Sequence, residues 1–350
     1  MLQLDNPKRV LRLIESIIKD LDLDLSGIPV LTETGRGAFV VTPLIAALAG
    51  AEQVIAVTTD SPYGPAAQVL AYTRSWVDLI GKSGAIHTST EPARTFAGDV
   101  ELVTNLGFVR PIDANFVSRL PATAAISLMF EPWEFRSTDL DREACRQRGI
   151  PVLGTCETHP RLQIFHYVGL LALKLLHEAG LEVFKSHILV IGSGHFGRVT
   201  KQSLETNGAV VIHLDPCENW SDTLQTLDAD GDNLDAVVLV EHATDRQLIG
   251  NQGGFSASEL ADRGIKLIHI CGNLDDAHLE EYQVYKHPAR QVDFGTMTVT
   301  TDYLGPRPVI DLHGAGLKVG EALVRGMRRY KDAAAAQKFA LENSPALEFT

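Results

Sequence analysis

Residues 186–216 read SHILVIGSGHFGRVTKQSLETNGAVVIHLDP. His187–Ile191 is a short apolar, partly β-branched run, the pattern of a buried strand. It leads into Gly192-Ser193-Gly194-His195-Phe196-Gly197 and then a helical stretch, Arg198–Thr206. Asn207-Gly208 stops that helix, and Ala209–Leu214 is a second buried strand ending on Asp215. The three glycines fit three different needs. Gly192 makes the tight turn out of the strand, Gly194 lets backbone approach a pyrophosphate, and Gly197 lets the helix lie close on the strand. The N–H groups of the first helical turn and the positive end of its dipole then face the phosphates. Asp215 is placed to accept hydrogen bonds from an adenosine ribose. No Arg or Lys follows it closely, and a carboxylate there repels a 2′-phosphate, so the expected cofactor is NAD rather than NADP. Ser193, His195 and Phe196 complete the expected cofactor turn.

The amino-terminal half repeats this logic. Pro7–Leu21 carries a helical apolar stripe behind an Asn6 cap. Ile28–Thr32 reads as a strand that enters Glu33-Thr34-Gly35-Arg36-Gly37, then a helix over Ala38–Ala49, then the strand Gln53–Thr58 ending near Asp60. There is no third glycine. Further strands are expected at Ala85–Thr88, Val100–Thr104, Thr123–Phe130 and Ile150–Leu153, with helices between them. The strongly apolar Arg161–Ala179 reads as a long buried helix. After Asp215, Cys217–Asn233 is polar and reads as a surface helix with a loop; Leu234–Val240 and Ile265–Ile270 are further buried strands. Short strands are expected at Gln283–Tyr285 and Gln291–Phe294, and a last one at Val309–Leu312. There the chain turns through His313-Gly314-Ala315-Gly316 into a helix from Leu317 and a frayed tail. The fold class is therefore α/β, with two doubly wound parallel-sheet (Rossmann-like) domains joined by a long buried helix. The expected boundaries are 1–158 for a substrate domain, 159–180 for the linking helix, 181–312 for the NAD-binding domain, and 313–350 for a returning helix and tail.

Composition narrows the function. The chain has 350 residues, enough for two α/β cores, and 45% hydrophobic with 21% charged residues is ordinary for a globular protein. A net charge of −13 without a basic stripe argues against nucleic acid as a partner. Cys145, Cys156, Cys217 and Cys271 are scattered without CxxC spacing, which points to a reducing compartment and no metal. The longest apolar run, Val168–Leu176, is too short to span a bilayer, and the first residues lack a signal pattern. A cytoplasmic homodimer acting on a small molecule is the expectation.

Ligands of parallel α/β sheets bind beyond the carboxyl ends of the strands. That rule selects Arg36, Asn105, Gly107, Arg110, Glu131, Trp133 and Glu157 in the first half as substrate-binding candidates. In the second half it selects Glu241, His242 and Cys271 beside the cofactor turn, and His313. In its order of elements, and at GSGHFG with Asp215, the chain resembles the D-isomer-specific 2-hydroxyacid dehydrogenases, which include formate and glycerate dehydrogenases. Glu241–Ile249 (EHATDRQLI) and Leu312–Arg325 (LHGAGLKVGEALVR) extend the likeness. The resemblance implies hydride transfer to or from NAD in a cleft between the domains, with His313 as the general acid/base. An imidazole suits that role because it titrates near neutrality. The family's substrate-binding arginine is absent, since Cys271-Gly272-Asn273 stands in its place. An anionic substrate then needs a cation from the first half, and Arg110, behind Asn105-Leu106-Gly107, is the candidate. Two other readings remain open. The first is an enzyme of adenosine or S-adenosyl ligands resembling adenosylhomocysteinase, using the GRG unit and Asp60. The second is a non-catalytic NAD-binding protein.

Overall fold

Each half of the chain builds its own parallel sheet. The computed structural model describes residues 4–218, 234–251 and 253–349. The chain divides into unit 1, Met1–Gln163 with Gly305–Thr350, and unit 2, Ile164–Leu304. The fold is mixed α/β with two mostly parallel sheets of Rossmann type, as the alternation of strands and helices predicts.

In unit 1, strands β1 (Val30–Glu33), β2 (Val54–Val57), β3 (Ile86–Ser89), β4 (Leu102–Thr104), β5 (Ala125–Ser127) and β6 (Val152–Thr155) run parallel in the order β3-β2-β1-β4-β5-β6. All but β3 are buried along their whole length, which is why they read as unbroken runs rather than alternating ones. Leu31, Val57, Val103 and Ile126 pack with Ile112, Phe116 and Leu140 on one face of the sheet. The strand order reverses between β1 and β4, so the loops leaving those two strands flank the crevice where such sheets bind ligands.

Unit 2 holds β7 (His187–Ile191), β8 (Val210–Leu214), β9 (Ala236–Val240), β10 (Lys266–Cys271) and β11 (Lys286–His287) in the order β11-β10-β9-β7-β8. Its reversal lies between β7 and β9. The linking helix of the sequence reading starts later than expected, at His166, and runs to Glu178. It packs within unit 2, on helix Gly194–Thr206: a Cβ on Gly169 would stand 2.1 Å from Ser203 Oγ and 2.6 Å from the Val199 carbonyl. Leu171, Leu175 and Leu176 meet Ile188, Val190 and Phe196 in that core.

The carboxyl-terminal segment corrects the sequence reading. Val309–Leu312 is not a strand and His313–Gly316 is not a turn; one helix runs from Arg307 to Tyr330, within unit 1. Pro308 sits in its first turn, where a missing N–H costs nothing. Val309, Ile310, His313, Leu317, Val324 and Met327 are buried at helical spacing, and from His313 to Met327 the helix is buried on most of its circumference. A four-residue apolar run cannot by itself separate strand from helix. The glycines serve close packing instead of a turn. A Cβ would lie 2.8 Å from Ile17 at Gly314, 2.3 Å from the Met129 sulfur at Gly316 and 2.2 Å from Leu102 at Gly320.

Lys331, at φ +55°, ends that helix, and Asp332 caps the next, Ala333–Asn343. The tail is not frayed: β12 (Ala346–Leu347) adds antiparallel to β6, and Arg142 lies 3.7 Å over the Phe349 ring. Among the described residues, Lys286–His287 is the one strand between residues 283 and 294, where two were expected. Of the polar stretch after Asp215, residues 219–233 lie outside the described residues. No described helix is long and apolar enough to cross a membrane.

Candidate functional site

The glycine turn of unit 2 has the geometry its sequence predicts, with one change of boundary. The helix begins at Gly194 rather than Arg198, so the turn itself forms its first residues. Gly192 and Gly197 are required by packing. A Cβ would lie 2.6 Å from the Val240 carbonyl at Gly192 and 1.9 Å from the Gly192 carbonyl at Gly197. Gly194 is different. It sits at φ +58°, and a Cβ there would meet only His242 Cε1, at 3.7 Å, so its front is open. Ser193 holds the N-cap position without capping through its side chain. Its hydroxyl donates to Glu241 Oε2 at 2.7 Å, which leaves the first turn of the helix to other acceptors.

Two carboxylates frame this turn. Asp215 follows β8 and accepts from the Cys217 N–H at 2.9 Å and the Gly194 N–H at 3.3 Å. Burial pushes its carboxyl up, but the Ser193 hydroxyl and those two N–H groups outweigh it and hold the acid below its usual range. Glu241 follows β9 across the strand reversal and is fully buried. It accepts from the Ser193 N–H at 2.8 Å and from the Ala243 and Thr244 N–H groups at 2.5 and 3.1 Å. Glu241 thus ties the loops after β7 and β9 together. The neighbouring His242 ring lies 4.4 Å from Phe196, and burial lowers its pKa, the nearby His195 adding to that against the opposing pull of Glu241. His195 is exposed and stacks on Phe165 at 5.7 Å. Cys271 is buried at the end of β10, and burial with the charge of Glu241 raises its thiol far out of the reactive range. All the sequence candidates that lie in unit 2 therefore converge on one corner.

The remaining candidates lie in unit 1 and fall into separate groups. Asn105 is buried after β4, and its Oδ1 accepts from the Met129 N–H at 2.8 Å. Arg110 donates to the Asn105 carbonyl at 2.5 Å, pairs with Asp139 at 2.8 Å and sits over the Phe130 ring. Its charge is thereby matched inside unit 1. Gly107 packs against Glu33, whose Oε2 accepts from the Phe108 N–H at 2.9 Å. Burial raises Glu33 against the pull of the Phe108 N–H, Arg110 and the Gly107 N–H. Glu131 accepts from the Glu157 N–H at 2.9 Å, and the carboxyls of Glu157 and Glu134 share a hydrogen bond. Burial, then the charges of Glu134 and Glu131, push Glu157 well up. Burial of the carboxyl and then Glu131 push Glu134 to about 7; since other atoms of Glu134 lie open to water, the like charge is the firmer cause. The backbone of Trp133 forms a single helical turn with Pro132 and Glu134, and its side chain lies outside the described residues.

Arg36 is exposed and donates to the Tyr63 carbonyl at 3.2 Å. His313, expected at a strand end beside the cofactor turn, is instead buried in the helix Arg307–Tyr330 of unit 1. Its Nδ1 is 2.6 Å from Thr42 Oγ1, and burial lowers its pKa to about 4. An imidazole so held stays neutral at physiological pH, and it belongs to the core of unit 1 rather than to the glycine turn of unit 2. Glu33 is the site residue the sequence reading passed over, although it immediately precedes the glycine turn of unit 1. Among the described residues no cluster of His, Cys, Asp and Glu is arranged to hold a metal ion.

No protein-family model matches the sequence, and no curated protein does. Solved structures do. The dipicolinate synthase A chain of Bacillus subtilis superposes with a TM-score of 0.52 at 9% identity, over 84% of this chain and 95% of that one. The pyruvate reductase of Chlamydomonas reinhardtii gives 0.48 at 15%, over 86% and 97%. The NAD-dependent formate dehydrogenase of Staphylococcus aureus, solved with NAD, gives 0.40 at 11%, over 83% and 94%. The structures this chain is similar to thus include D-isomer 2-hydroxyacid dehydrogenases beside dipicolinate synthase. What the likeness to the dipicolinate synthase chain shows is the fold alone, of Rossmann-type α/β units.

Proposed function

We propose that the chain is an NAD-dependent oxidoreductase acting on a small anionic hydroxy or oxo compound, with the dinucleotide held by unit 2. The observation that carries this reading is Gly194: a residue at φ +58° with open space before it, on an N-terminal helical turn that its own N-cap side chain leaves uncapped. That is the shape a diphosphate needs, because the space before Gly194 is open and the positive end of the helix dipole faces it, while the Gly194 N–H itself is held by Asp215 at 3.3 Å. Asp215, ionised over the whole physiological range, has the place and the charge to accept from ribose hydroxyls. Bound there, the nicotinamide would supply or take up a hydride.

The chain's own residues supply the rest. Gly192 and Gly197 keep the helix against β7, so the N–H groups stay aimed. Glu241 fixes the loop after β9 relative to the glycine turn. His242, neutral because burial lowers its pKa, is the imidazole next to the turn, able in that form to accept a proton as a general base when a hydroxy compound is oxidised. His313 is not proposed for that step.

Fluorescence titration tests the reading. We expect micromolar binding of NADH, with NADPH at least tenfold weaker, a gap of about 1.4 kcal/mol. Asp215→Ala should narrow that gap. Absence of NADH binding, or equal affinities for the two nucleotides, would sink the proposal. Oxidation of NADH across a panel of 2-oxoacids and aldehydes then identifies the substrate class.

A further inference from the structure

In unit 1, Glu33 and Asn105 stand side by side at the carboxyl edge of the sheet. Strands β1 and β4 pair in parallel, with Val30 opposite Leu102 and Leu31 opposite Val103. One step on, the Thr104 hydroxyl donates to the Thr32 hydroxyl at 2.9 Å, and the same register brings Glu33 opposite Asn105. Paired strands lie about 4.8 Å apart, and side chains two residues on return to the same face. Both residues therefore face the side on which Leu31 and Val103 pack, at the point where the sheet reverses its order.

Both are buried, and each keeps polar capacity that the fold does not use. Asn105 is 1% exposed, and its Oδ1 accepts the Met129 N–H at 2.8 Å. That bond fixes the amide, since only its oxygen can take an N–H, and Nδ2 is turned the other way. Nδ2 makes no hydrogen bond among the described residues, and solvent still touches it. Glu33 is 7% exposed; its Oε2 takes the Phe108 N–H at 2.9 Å, and among the described residues no side chain donates to its carboxyl. Burial raises the hold of Glu33 on a proton.

The charges around Glu33 are few. Arg110 pulls on it from the loop after β4, but Arg110 is paired with Asp139 and also lies in the field of Glu134 and Arg136. On that face β2 and the segment Ala93–Asp99 contribute the apolar Ile55, Val57, Ala93 and Ala97. Helix Val41–Leu48, also packed on β1, has no titratable residue. An anion that reaches this edge thus meets a guanidinium already matched, beside a buried carboxyl that can carry a proton and an amide with an open N–H.

We propose that Glu33 and Asn105 together bind the carboxylate of the substrate, the anion entering with one proton that Glu33 holds. The Glu33 O–H donates to one ligand oxygen and the Asn105 Nδ2–H to the other. The proton comes from solvent and returns there on release, so a proton does the work of a side-chain cation. The ligand is the small anionic compound of the proposed function, so the site rests on that reading for its ligand, though on none of the residues that hold the dinucleotide.

Isothermal titration of the full chain with oxamate and with pyruvate tests it, from about pH 5.5 to 9.5, with and without NADH. Both probes stay ionised over that range. Affinity should fall about tenfold per pH unit once Glu33 is ionised in the unliganded protein, and there one proton should be taken up per ligand, read from the heats in buffers of different ionisation enthalpy. Glu33→Gln keeps an oxygen for the Phe108 N–H and an N–H for the ligand, so it should bind both probes with that pH dependence gone. Asn105→Asp keeps Oδ1 for the Met129 N–H but loses the donor, and should weaken binding at least about tenfold. Binding indifferent to pH, or a pH dependence that survives in Glu33→Gln, would overturn the site, as would no binding in either arm. Failure of NADH to bind would count against the dinucleotide reading alone, because the arm without nucleotide still reports on Glu33 and Asn105.

Discussion

His313 and Thr42 meet 2.6 Å apart in a place closed to water, and this contact governs what the histidine does. Its folded pKa, about 4, lies below the unfolded value near 6.5. The native state therefore favours the neutral ring, and the unfolded state binds more protons between those limits. The stability this contributes is fully present above about pH 6.5 and is lost as pH falls toward 4, by roughly 2–3 kcal/mol at pH 4.5. His313→Gln should flatten that part of the pH dependence, read as the difference in urea midpoints between pH 7 and 4.5; equal slopes in wild type and variant would refute it. At this scale the sequence was legible where a motif constrains neighbours along the chain. Gly192–Gly197 and Asp215 stand where their spacing puts them. It was not legible where a partner comes from far away. Nothing near Arg110 announces that Asp139 neutralises it, and nothing near Glu241 announces that it holds the Ser193 N–H.

Helix Arg307–Tyr330 illustrates how elements are misread. Its glycines mimic a turn in sequence, because a turn and a close helix contact both demand a missing Cβ. Only the packing partner separates the two cases, and Ile17, Met129 and Leu102 are distant in sequence. Gly320→Ala should accordingly destabilise unit 1 by about 1–3 kcal/mol, although alanine is the better helix former. Denaturant unfolding decides it: a stabilised Gly320→Ala variant would mean that Leu102 yields at no cost. Elements whose signals are local were legible. Asn6 accepts from the Arg9 N–H and caps helix Pro7–Asp20 as its sequence predicts, and the unbroken apolar strands fall within two residues of their expected places, except that β5 ends at Ser127, three residues before the expected Phe130. The short β11 and β12 were not, since two-residue strands have no periodicity to read.

On the scale of the molecule, the sequence shows two α/β halves because each repeats strand, glycine turn, helix, strand and acid. A returning helix is expected from residue 313, but nothing local in the sequence shows that the whole of Gly305–Thr350 belongs with the first half. Glu321 accepts from the Asp24 N–H across 297 residues of chain, while Lys318 and Arg325 also bond to it. Unit 2 is enclosed in sequence by the two parts of unit 1. A ribosome delivers those parts at different times. Residues 4–163 leave the exit tunnel without the helix that Ile17, Leu102 and Met129 close upon, and unit 2 is complete before that helix is made. Unit 1 must then wait, with its sheet face open, for contacts of the highest sequence separation in the chain, the kind that form slowly and leave apolar surface exposed to aggregation. A chain ending at residue 304 should therefore show a protease-resistant unit 2 beside a first half that is cut. Equal resistance of both would refute this order. The full-length protein should need chaperone protection through the interval in which ribosomes translate unit 2, and slow codons near residue 304 should lower its yield more than slow codons near residue 163.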